Sequence, residues 1–583
     1  KVLLYLLVIM ITPIKKHWQE LLALSFLFLA FIFAHRFFFL PGDFPTHDGV
    51  HFIRLYDLEK VLRQGQFPPR WLPSLGKGYG YPFFNFYPPL SYFAGLLFRF
   101  FGASFTLANK LSFALAGFLG AVGMFLLAKK FFANFWSGAI AVLFWLLLPY
   151  RALDLYVRGS LAEYWGLNLL PLVFYWAKSF FTLPNRKQGL VLALGLFFLL
   201  IAHNGVALIG VVWLAVFLLF LLTVNREWSW LKLKKWLILM GPFLLAAGMA
   251  AFFIVPAIWE KGFTQIADMT SDYYAYYNHF PSLGQLFISR FWGYGGSNFG
   301  LNDEMSFQIG HFHSLAALTA LFLLVGKLIL KRGRVFRERK LGLALFFLIS
   351  FLGFAFLSHQ RSSFLWEKLP FLVFLQFPWR LLIFIGFSAS VLAGFGLTRI
   401  KKGKTWLFFL SGLVLLVLGF SYFQPREMVD IDDNKYLSSP LWEYQQREFL
   451  TDYLPKTVEV IPKDYYRPPL ILASGETRMI LDQADKIIFT FLGEADQKVT
   501  IKRFYFPGWQ AKIDGKLAEI DTSQNGFMVL ALPEGQSRVE LFFGQTTTRR
   551  LANRISLAAW MLFFWLAFSL RKKTKRTNPG AND

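Results

Sequence analysis

The sequence contains no cysteine among its 583 residues. It can therefore form no disulfide and offers no thiolate nucleophile, so any segment outside a membrane must fold by packing alone. Charged residues are also scarce, at 16%, and the acidic sign is the scarcer, with 35 Asp and Glu against 60 Lys and Arg. In their place stand 56% hydrophobic residues in repeated apolar runs. Because many runs approach about 20 residues, a soluble multidomain protein is excluded.

The apolar runs predict a polytopic α-helical membrane protein with about twelve transmembrane helices. The first run, Val2 to Ile14, is short for a span, and we interpret it as a partial span, a leader or a misplaced start. We place the spans near residues 18–40, 105–128, 132–149, 161–182, 188–203, 205–224, 236–258, 314–330, 341–357, 379–398, 405–423 and 552–570.

Much of the positive charge collects in short clusters between these spans. The clusters are Lys15-Lys16, Lys129-Lys130, Arg186-Lys187, Arg226 with Lys232 to Lys235, Lys331 to Lys340, Lys401 to Lys404, and Arg571 to Arg576. With the predicted spans they all fall on one side, which the positive-inside rule makes cytoplasmic, together with both termini. The net charge of +25 therefore needs no nucleic-acid partner. We predict a multi-pass protein of the cytoplasmic (inner) membrane, with large exterior loops at 41–104 and 259–313.

The composition changes from about Gln424, where carboxylates, Pro and short alternating stretches replace the Phe and Leu runs. We predict an exterior, mostly-β domain over 424–551, a small β-sandwich, between a transmembrane module (1–423) and a final helix with a basic tail (552–583). Its aromatic strip, Phe504 to Trp509, is expected to pack in the core rather than to touch glycan. The predicted strands are Lys486 to Leu492, Lys498 to Phe504, Gly526 to Leu532 and Ser537 to Phe543, with a turn at Ile513-Asp514-Gly515-Lys516.

The polar stretch from Pro41 to Leu90, rich in Gly, Pro and aromatics, is predicted to be an active-site loop. After a potential N-cap at Thr46, a helix from Asp48 to about Gln64 would place Asp48 and His51 on one stripe. The apolar remainder of the stripe suits a helix lying on a membrane surface. A carboxylate there could act as a general base or bind a divalent cation. The alternative is that Asp48 only caps the helix and His51 packs.

Metal binding is a further hypothesis for this loop. His47 and His51 have the i, i+4 spacing of zinc ligands, but no HExxH motif or cysteine partner supports zinc. The candidate ligands are His47, Asp48 and His51. The only cofactor that we consider is therefore a divalent metal, Mg²⁺ or Mn²⁺.

The segment from Tyr150 to Gly159 carries more charge than hydropathy alone would ask for. If it is helical, Arg151, Asp154 and Arg158 share a face, and the alternative to a functional role is a self-neutralising ion triad. Glu163 lies just inside a predicted span. An ionisable group at such a position usually faces a cavity or a partner, so Glu163 is a candidate site residue.

Three further polar features lie in the predicted exterior parts. Arg380 enters a span from the outer side, where arginine also commonly snorkels. His203-Asn204 forms a tight outer turn, for which a plain polar hairpin is the alternative. The 259–313 loop holds Arg290 and a Gly-rich aromatic run, and it reads either as a lid over a substrate or as an interfacial aromatic belt. The pair Asp303-Glu304 could bind metal or be solvated.

Several motifs resemble a bacterial membrane family catalogued as pyruvoyl-tetrahydropterin-synthase-related. They are His47-Asp48-Gly49, Pro68-Pro69-Arg70-Trp71, Gly78-Tyr-Gly-Tyr-Pro82, Phe86-Tyr-Pro-Pro89, Tyr156-Val-Arg158-Gly159 with Ala162-Glu163, Ala202-His203-Asn204 and Phe377-Pro-Trp-Arg380. The C-terminal Tyr505-Phe-Pro-Gly-Trp509 with Asp514-Gly515-Lys516 is similar to the exterior domain of bacterial membrane proteins that glycosylate lipoteichoic acid.

The architecture resembles the GT-C glycosyltransferase superfamily. The resemblance implies a polyprenyl-phosphate sugar donor, a cell-envelope acceptor (glycan, lipid or protein), Asp48 as catalytic base, and Asp154 or Glu163 as an assisting acid. Many superfamily members have adjacent acids in the first loop, whereas Gly49 follows Asp48 here, which puts a metal in doubt. The residues expected to contact substrate or phosphate are His51, Arg54, Arg158, His203, Asn204, Arg290, Arg380, Tyr79 and Tyr81.

Two other classes of function remain open. A transporter or flippase of lipid-linked sugars would use the same arginines without a base, and inverted repeats or broken central helices would indicate it. A non-enzymatic envelope scaffold would bind partners through the β-domain and would tolerate the loss of Asp48.

Overall fold

The computed structural model describes residues 2–224, 233–266, 271–299, 302–330, 338–447, 453–468 and 470–576. Six of the described helices are long and apolar enough to cross a membrane, or up to eight if each of two bent pairs is one span. The prediction of a polytopic helical membrane protein holds, whereas the count of about twelve spans is not confirmed. Arg226 and most of the cluster from Lys331 lie outside the described residues, as does Asp268, an acid of the predicted 259–313 loop.

The described helices follow one another from one end of the chain to the other. They are α1 Val2–His35, α2 His51–Arg63, α3 Leu90–Phe100, α4 Phe105–Phe132, α5 Phe135–Leu146, α6 Pro149–Leu153, α7 Leu161–Thr182, α8 Arg186–Leu200, α9 Asn204–Val224, α10 Leu233–Met249, α11 Ala251–Trp259, α12 Leu283–Phe287, α13 His311–Leu330, α14 Arg339–Leu357, α15 Ser363–Lys368, α16 Leu382–Leu397, α17 Lys404–Gly419, α18 Asp433–Tyr436, α19 Leu441–Arg447 and α20 Thr547–Arg576.

Two of the predicted spans are broken helices. The span predicted at 132–149 ends at Leu146, and the chain continues at an angle of 43° from Pro149, whose ring is tolerated in a first helical turn. The span predicted at 236–258 bends by 71° between α10 and α11. There the Ser556 hydroxyl of α20 accepts a 2.7 Å hydrogen bond from the Phe252 backbone N–H that the break leaves free. A count of apolar residues does not detect such bends.

Small residues allow a close contact between α4 and α7. A Cβ added at Gly120 would lie 2.0 Å from Asn168 Oδ1, and one added at Gly123 would lie 2.8 Å from the Leu172 backbone nitrogen. Within a membrane, backbones approach this closely only where the side chains are small. This contact holds α7, which begins beside the candidate site, against the rest of the bundle.

The C-terminal region contains two antiparallel sheets. One has the order β1-β4-β7 and the other the order β2-β3-β8-β5-β6. The four predicted strands correspond to β3, β4, β7 and β8, and the predicted turn joins β5 to β6 through Asp514 and Gly515, both at positive φ. The strands are β1 Ile471–Leu472, β2 Glu476–Asp482, β3 Lys486–Gly493, β4 Gln497–Phe504, β5 Trp509–Ile513, β6 Lys516–Ala518, β7 Phe527–Leu532 and β8 Gly535–Phe543.

This β region packs on the first polar loop. The Trp71 and Trp509 rings meet edge to face at 5.3 Å, and the Phe504 backbone N–H donates to the Tyr79 carbonyl at 3.2 Å. Phe504, Phe506 and Trp509 are buried, so the aromatic strip packs as expected. The polar loops and the sheets thus share one end of the bundle. That this end faces the exterior stays a prediction.

Candidate functional site

Glu163, in the first turn of α7, is fully buried and lies among three basic side chains. Its Oε2 is 2.9 Å from Arg158 Nη2, 3.1 Å from Arg380 Nε and 3.9 Å from His203 Nε2. The Tyr150 hydroxyl donates to its other oxygen. Residues that the sequence analysis treated as separate candidates therefore form one cluster, in which a buried carboxylate is offset by cations as burial requires.

Arg158 links this cluster to a second buried acid. Its Nη1 lies 2.5 Å from Asp154 Oδ1 and donates to the Tyr150 hydroxyl at 3.1 Å, while the guanidinium stacks over the Trp379 ring at 4.7 Å. Asp154 to Arg158 form a π-helical turn that ends at Gly159, with φ of +62°. Such turns are rare and frequent at functional sites.

Arg151 does not join this pair, so the alternative of a self-neutralising ion triad is wrong in part. Its guanidinium points the other way, where Nη1 donates to Asn168 Oδ1 at 2.6 Å and Nη2 donates to the Tyr164 hydroxyl. The pair between Asp154 and Arg158 does form. Arg151 lies in α6, before the π-helical turn, and its two partners lie on α7, so contacts between helices decide its direction.

Asp48 lies in a turn, and α2 begins only at His51 with Val50 as N-cap. The predicted helical start at Asp48 and the Thr46 cap are therefore wrong. The backbone N–H groups of His47 and Asp48 instead donate to the Val157 and Arg158 carbonyls at 3.0 and 2.8 Å. The Asp48 side chain is partly exposed, and in the described part of the chain its carboxylate has no hydrogen-bond or ion-pair partner.

Helix α2 is not a membrane-surface helix, because eight of its 13 residues are buried. His51 is one of them, and both of its ring nitrogens are engaged: Nδ1 lies 2.9 Å from the Tyr92 hydroxyl, and Nε2 lies 2.5 Å from the Gly159 carbonyl. Burial lowers the pKa of His51 to about 4. A neutral ring that accepts from Tyr92 and donates to Gly159 satisfies both contacts.

Arg54 lies one turn further along α2 and is also buried. Its guanidinium stacks on the Phe83 ring at 4.7 Å and the Tyr87 ring at 4.9 Å, and Nη1 donates to the Tyr92 hydroxyl at 3.3 Å. A cation enclosed by aromatic faces is stabilised where it stands. Arg54 therefore packs within the buried aromatic layer beneath the Asp48 turn and does not extend toward solvent.

The residues predicted to bind a metal do not fit one. Both His51 nitrogens are hydrogen-bonded, and His47 Nε2 lies 3.2 Å from the Tyr294 carbonyl. Asp303 accepts hydrogen bonds from Gln285 and the Asn298 backbone, so it stabilises its own loop. Within the described ranges, no three His, Asp or Glu side chains are arranged to hold a metal ion. The predicted set of His47, Asp48 and His51 is thus not a metal site.

The 259–313 loop reaches the site through the contact between Tyr294 and His47. Nearby, the Trp292 ring stacks on Tyr422 at 4.7 Å, and Arg290 Nε donates to the Tyr422 hydroxyl at 3.4 Å. Arg290 is exposed, and among the residues that the structure describes no carboxylate lies within 4.0 Å of its guanidinium. This segment therefore contacts the turn that holds Asp48 and carries an exposed cation with no carboxylate partner in the part of the loop that the structure describes.

Three other predicted site residues contact the β region or the first polar loop. Tyr79 is buried against Phe504 of the β region, and its hydroxyl donates to the Asp464 carbonyl. Tyr81 is 1% exposed and lies beside Gly76. Asn204 Nδ2 donates to the Phe86 carbonyl at 3.2 Å and so ties the start of α9 to the first loop.

Sequence reasoning missed three residues of the site. Tyr150 precedes Asp154 by four residues and Arg158 by eight, so helical spacing could have found it. Trp379, which stacks under Arg158, is adjacent to Arg380. Tyr92 joins Arg54 to His51, and no local signal in the sequence points to that role.

Residues 84–294 match the family described as "6-pyruvoyl-tetrahydropterin synthase related domain; membrane protein". The matched range includes Arg158, Glu163 and His203 and begins after Asp48, so the expected resemblance is borne out for less than half of the chain. The expected similarity of the C-terminal region to proteins that glycosylate lipoteichoic acid stays a prediction. A protein of Lactococcus lactis described as uncharacterized is 24% identical over 231 residues, which cover 38% of this chain and 37% of that protein.

Three solved structures share a low overall similarity with this chain. The Archaeoglobus fulgidus oligosaccharyltransferase in the apo form aligns with 12% identity and a TM-score of 0.43, over 78% of this chain and 62% of that one. The same enzyme tethered with an acceptor peptide aligns with 13% identity and a TM-score of 0.43, over 79% of this chain and 61% of that one. ArnT from Cupriavidus metallidurans bound to undecaprenyl phosphate aligns with 14% identity and a TM-score of 0.35, over 69% of this chain and 63% of that one. This chain spans less than two thirds of the length of each of these proteins. At these TM-scores the alignments carry no argument about function, which must come from the residues of this chain.

Proposed function

We propose that this chain is a membrane glycosyltransferase that transfers a sugar from a polyprenyl-phosphate-linked donor to a cell-envelope acceptor. In this proposal Asp48 is the general base. The chemistry takes place on the exterior face, the end of the bundle that carries the polar loops and the sheets. The motifs around Asp48 and Glu163 that resemble a membrane family, and the wider resemblance to the GT-C superfamily, support this class.

One observation carries the assignment of the base. Of the three candidate acids, Asp154 and Glu163 are fully buried and already paired with arginines, whereas Asp48 is partly exposed with no partner among the described side chains. A general base must have a free lone pair that can reach a substrate proton. Asp48 meets that requirement, whereas burial keeps the oxygens of the other two acids out of reach of a substrate proton.

The paired acids then have a supporting role in the proposal. Arg158 and Arg380 were expected to neutralise the donor phosphate, but their charges are offset by Asp154 and Glu163. Arg290 is an expected phosphate ligand for which the described residues supply no compensating carboxylate within 4.0 Å. Since a guanidinium offers phosphate a forked pair of donors, we assign the donor phosphate to Arg290, on the loop that covers the Asp48 turn.

The reaction is a single displacement. Asp48 takes the proton from an acceptor hydroxyl as its oxygen forms a bond to the anomeric carbon. The bond between that carbon and the phosphate oxygen breaks, and the polyprenyl phosphate leaves with the bonding electrons. Attack from the opposite side inverts the anomeric configuration.

The test is a transfer assay on purified protein with a panel of radiolabelled polyprenyl-phosphate sugars. The Asp48→Asn variant keeps the size of the side chain and removes the base, so we expect the transfer rate to fall by roughly 100- to 10,000-fold. Thermal stability should be unchanged, because the described contacts of Asp48 come from its backbone. Glu427→Gln is a control for loss of an exposed carboxylate at the same end. Full transfer by a folded Asp48→Asn protein would rule out the base.

A transporter of lipid-linked sugars is the second candidate, and the two broken helices favour it. Discontinuous helices such as α10 with α11 line the substrate path in many transporters. Donor lipids would then bind without turnover, and Asp48→Asn would move them across reconstituted vesicles as fast as the wild type. Sugar transfer by the wild type that is lost in Asp48→Asn, with no movement of the lipid by either protein, would instead favour the transferase.

A further inference from the structure

A cavity of about 350 Å³ lies well away from Asp48, between the C-terminal half of α2, the turn at 73–78, α19 and the edge of the five-stranded sheet. Its volume falls within the range of about 300–1,000 Å³ that ligand pockets occupy. The wall includes three aromatic and three basic side chains: Trp442, Tyr465, Tyr466, Lys60, Arg467 and Arg503. None of these residues has a role in the proposed transfer chemistry.

The aromatic side of the cavity is held in place by backbone contacts. The Tyr466 N–H donates to the Lys77 carbonyl at 2.8 Å, and its ring meets Tyr79 edge to face at 6.1 Å. The Lys77 ammonium in turn donates to the carbonyls of Pro462 and Lys463 at 2.6 and 3.0 Å. The segment that presents Tyr465 and Tyr466 is therefore fixed to the first polar loop, and little of its freedom remains to be lost on binding.

The basic side of the cavity carries positive charges that are not all paired with described carboxylates. Arg503 is buried and paired with Asp482 at 3.3 Å, and its Nη1 donates to the Gln483 carbonyl at 2.8 Å. Lys60 and Arg467 are exposed, and neither has an ion-pair partner in the parts of the chain that the structure describes. Glu443 is the carboxylate of the wall that has no ion pair with a described residue. The unpaired charges thus favour an anion.

From these features we propose that the cavity binds an anionic saccharide. The apolar C–H face of a pyranose ring stacks on aromatic side chains such as Trp442 and Tyr465, while its hydroxyls hydrogen-bond to the polar wall. A carboxylate or phosphate on the sugar would pair with the Arg467 guanidinium, whose forked donors match such groups. Lys60 adds a second positive charge at the same wall.

This site is separate from Asp48 and does not depend on the proposed transfer reaction. Lys60 follows His51 by nine residues in the same helix, which is about 14 Å along the axis at 1.5 Å per residue. A glycan that occupied both places would therefore span several sugar units. Binding at the cavity alone requires no donor and no catalysis.

The test is calorimetric titration of the full-length protein in detergent with tetragalacturonate and, separately, with the neutral maltotetraose. We expect tetragalacturonate to bind, with an affinity that falls as salt is raised, and maltotetraose to bind much more weakly. Trp442→Ala and Arg467→Gln should each weaken binding by roughly tenfold or more. Asp48→Asn should bind as the wild type does, so failure of the transfer proposal and failure of this one give different results.

The matched control is Lys516→Gln, which removes one positive charge at β6, the opposite edge of the five-stranded sheet. It should leave binding unchanged. Equal weakening by Lys516→Gln and Arg467→Gln would show attraction to the overall positive charge and would overturn the site. Equal binding of the two tetrasaccharides, or binding of neither, would overturn it as well.

Discussion

The Asp48 backbone N–H donates a 2.8 Å hydrogen bond to the carbonyl of Arg158, the residue whose guanidinium contacts Asp154 and Glu163. The exposed acid and the buried acids of the site are therefore connected through a single residue. Any change that moves the Arg158 backbone also moves Asp48. The free energy of the buried cluster and the position of the proposed base are coupled for that reason.

Removal of Arg158 should destabilise the protein strongly. In Arg158→Met, the buried carboxylates of Asp154 and Glu163 lose their common partner, and breaking a buried pair in this way costs about 3–5 kcal/mol. The thermal unfolding midpoint in detergent measures the effect. The double variant Arg158→Met with Glu163→Gln removes a charge of each sign, so it should unfold at a higher temperature than Arg158→Met alone. A double variant that is less stable than the single one would contradict this account.

Gly159→Ala should loosen the Asp48 turn. A Cβ at this position would lie 2.2 Å from Thr46 Oγ1, and the backbone φ is +62°. Gly102→Ala is the matched control, because φ is +88° there and nothing lies within 4 Å of the added carbon. In both variants the left-handed backbone lowers the free energy of unfolding by about 1–3 kcal/mol, and in Gly159→Ala the clash lowers it further. We expect a lower unfolding midpoint and a lower transfer rate for Gly159→Ala than for Gly102→Ala.

A double-mutant cycle isolates the clash. Thr46→Gly in the Gly159→Ala background removes the atoms that the new methyl group would meet, and it should recover the difference from Gly102→Ala. If Thr46→Gly gives no recovery, the effect of Gly159→Ala belongs to backbone strain alone.

His51 should make the protein sensitive to acid. Burial and the neighbouring Arg54 lower its pKa from 6.5 to about 4, against the opposing effect of Asp48. Because the folded pKa is the lower one, this stabilisation is complete above pH 6.5 and is lost as the pH falls to about 4. It amounts to about 3 kcal/mol. Unfolding midpoints from pH 7.5 to 4.5 should therefore decline less steeply for His51→Gln than for the wild type.

Asp57 should have the opposite pH dependence. Burial raises its pKa from 3.8 to about 6, although Ser74 donates to both of its oxygens and Lys60 and Arg503 are nearby. The folded state favours the protonated acid, so this contribution is complete below pH 3.8 and is lost as the pH rises to about 6. As the pH rises from 3.8 to about 6, the free energy of unfolding of Asp57→Asn should increase by about 3 kcal/mol relative to that of the wild type. A constant difference across that range would contradict the raised pKa.

The sequence identified most of the charged residues of the site but not their contacts. Glu163, Arg158 and Arg380 could be named in advance because ionisable groups next to apolar spans need partners. Which of them pair depends on how α7, the π-helical turn and the segment before α16 pack, and hydropathy does not contain that information. The role of Arg151 was wrong for the same reason, since its partners Tyr164 and Asn168 lie on another helix.

The errors in the fold also have local causes. The start of α2 was placed too early because Asp48 and Thr46 resemble a helix start. Gly49 is a poor helix former, and two hydrogen bonds to the carbonyls at 157 and 158 hold His47 and Asp48 in a turn. The strands β4 and β8 were predictable because buried residues alternate with more exposed ones, and β3 and β7 because they are short, mostly buried apolar runs, whereas β2 is mostly exposed and has neither pattern.

The position of Arg380 beside Glu163 has a consequence for the order in which the protein matures. Glu163 enters the membrane with α7, while Arg380 is translated more than two hundred residues later. At about 5–20 residues per second, that delay is roughly 10–40 s. Until then Arg158 and Tyr150, made just before it, and His203, made soon after, are the described side chains that can shelter the Glu163 charge in the nascent chain. The candidate site is therefore completed late, when the helix that follows Arg380 docks on the assembled spans.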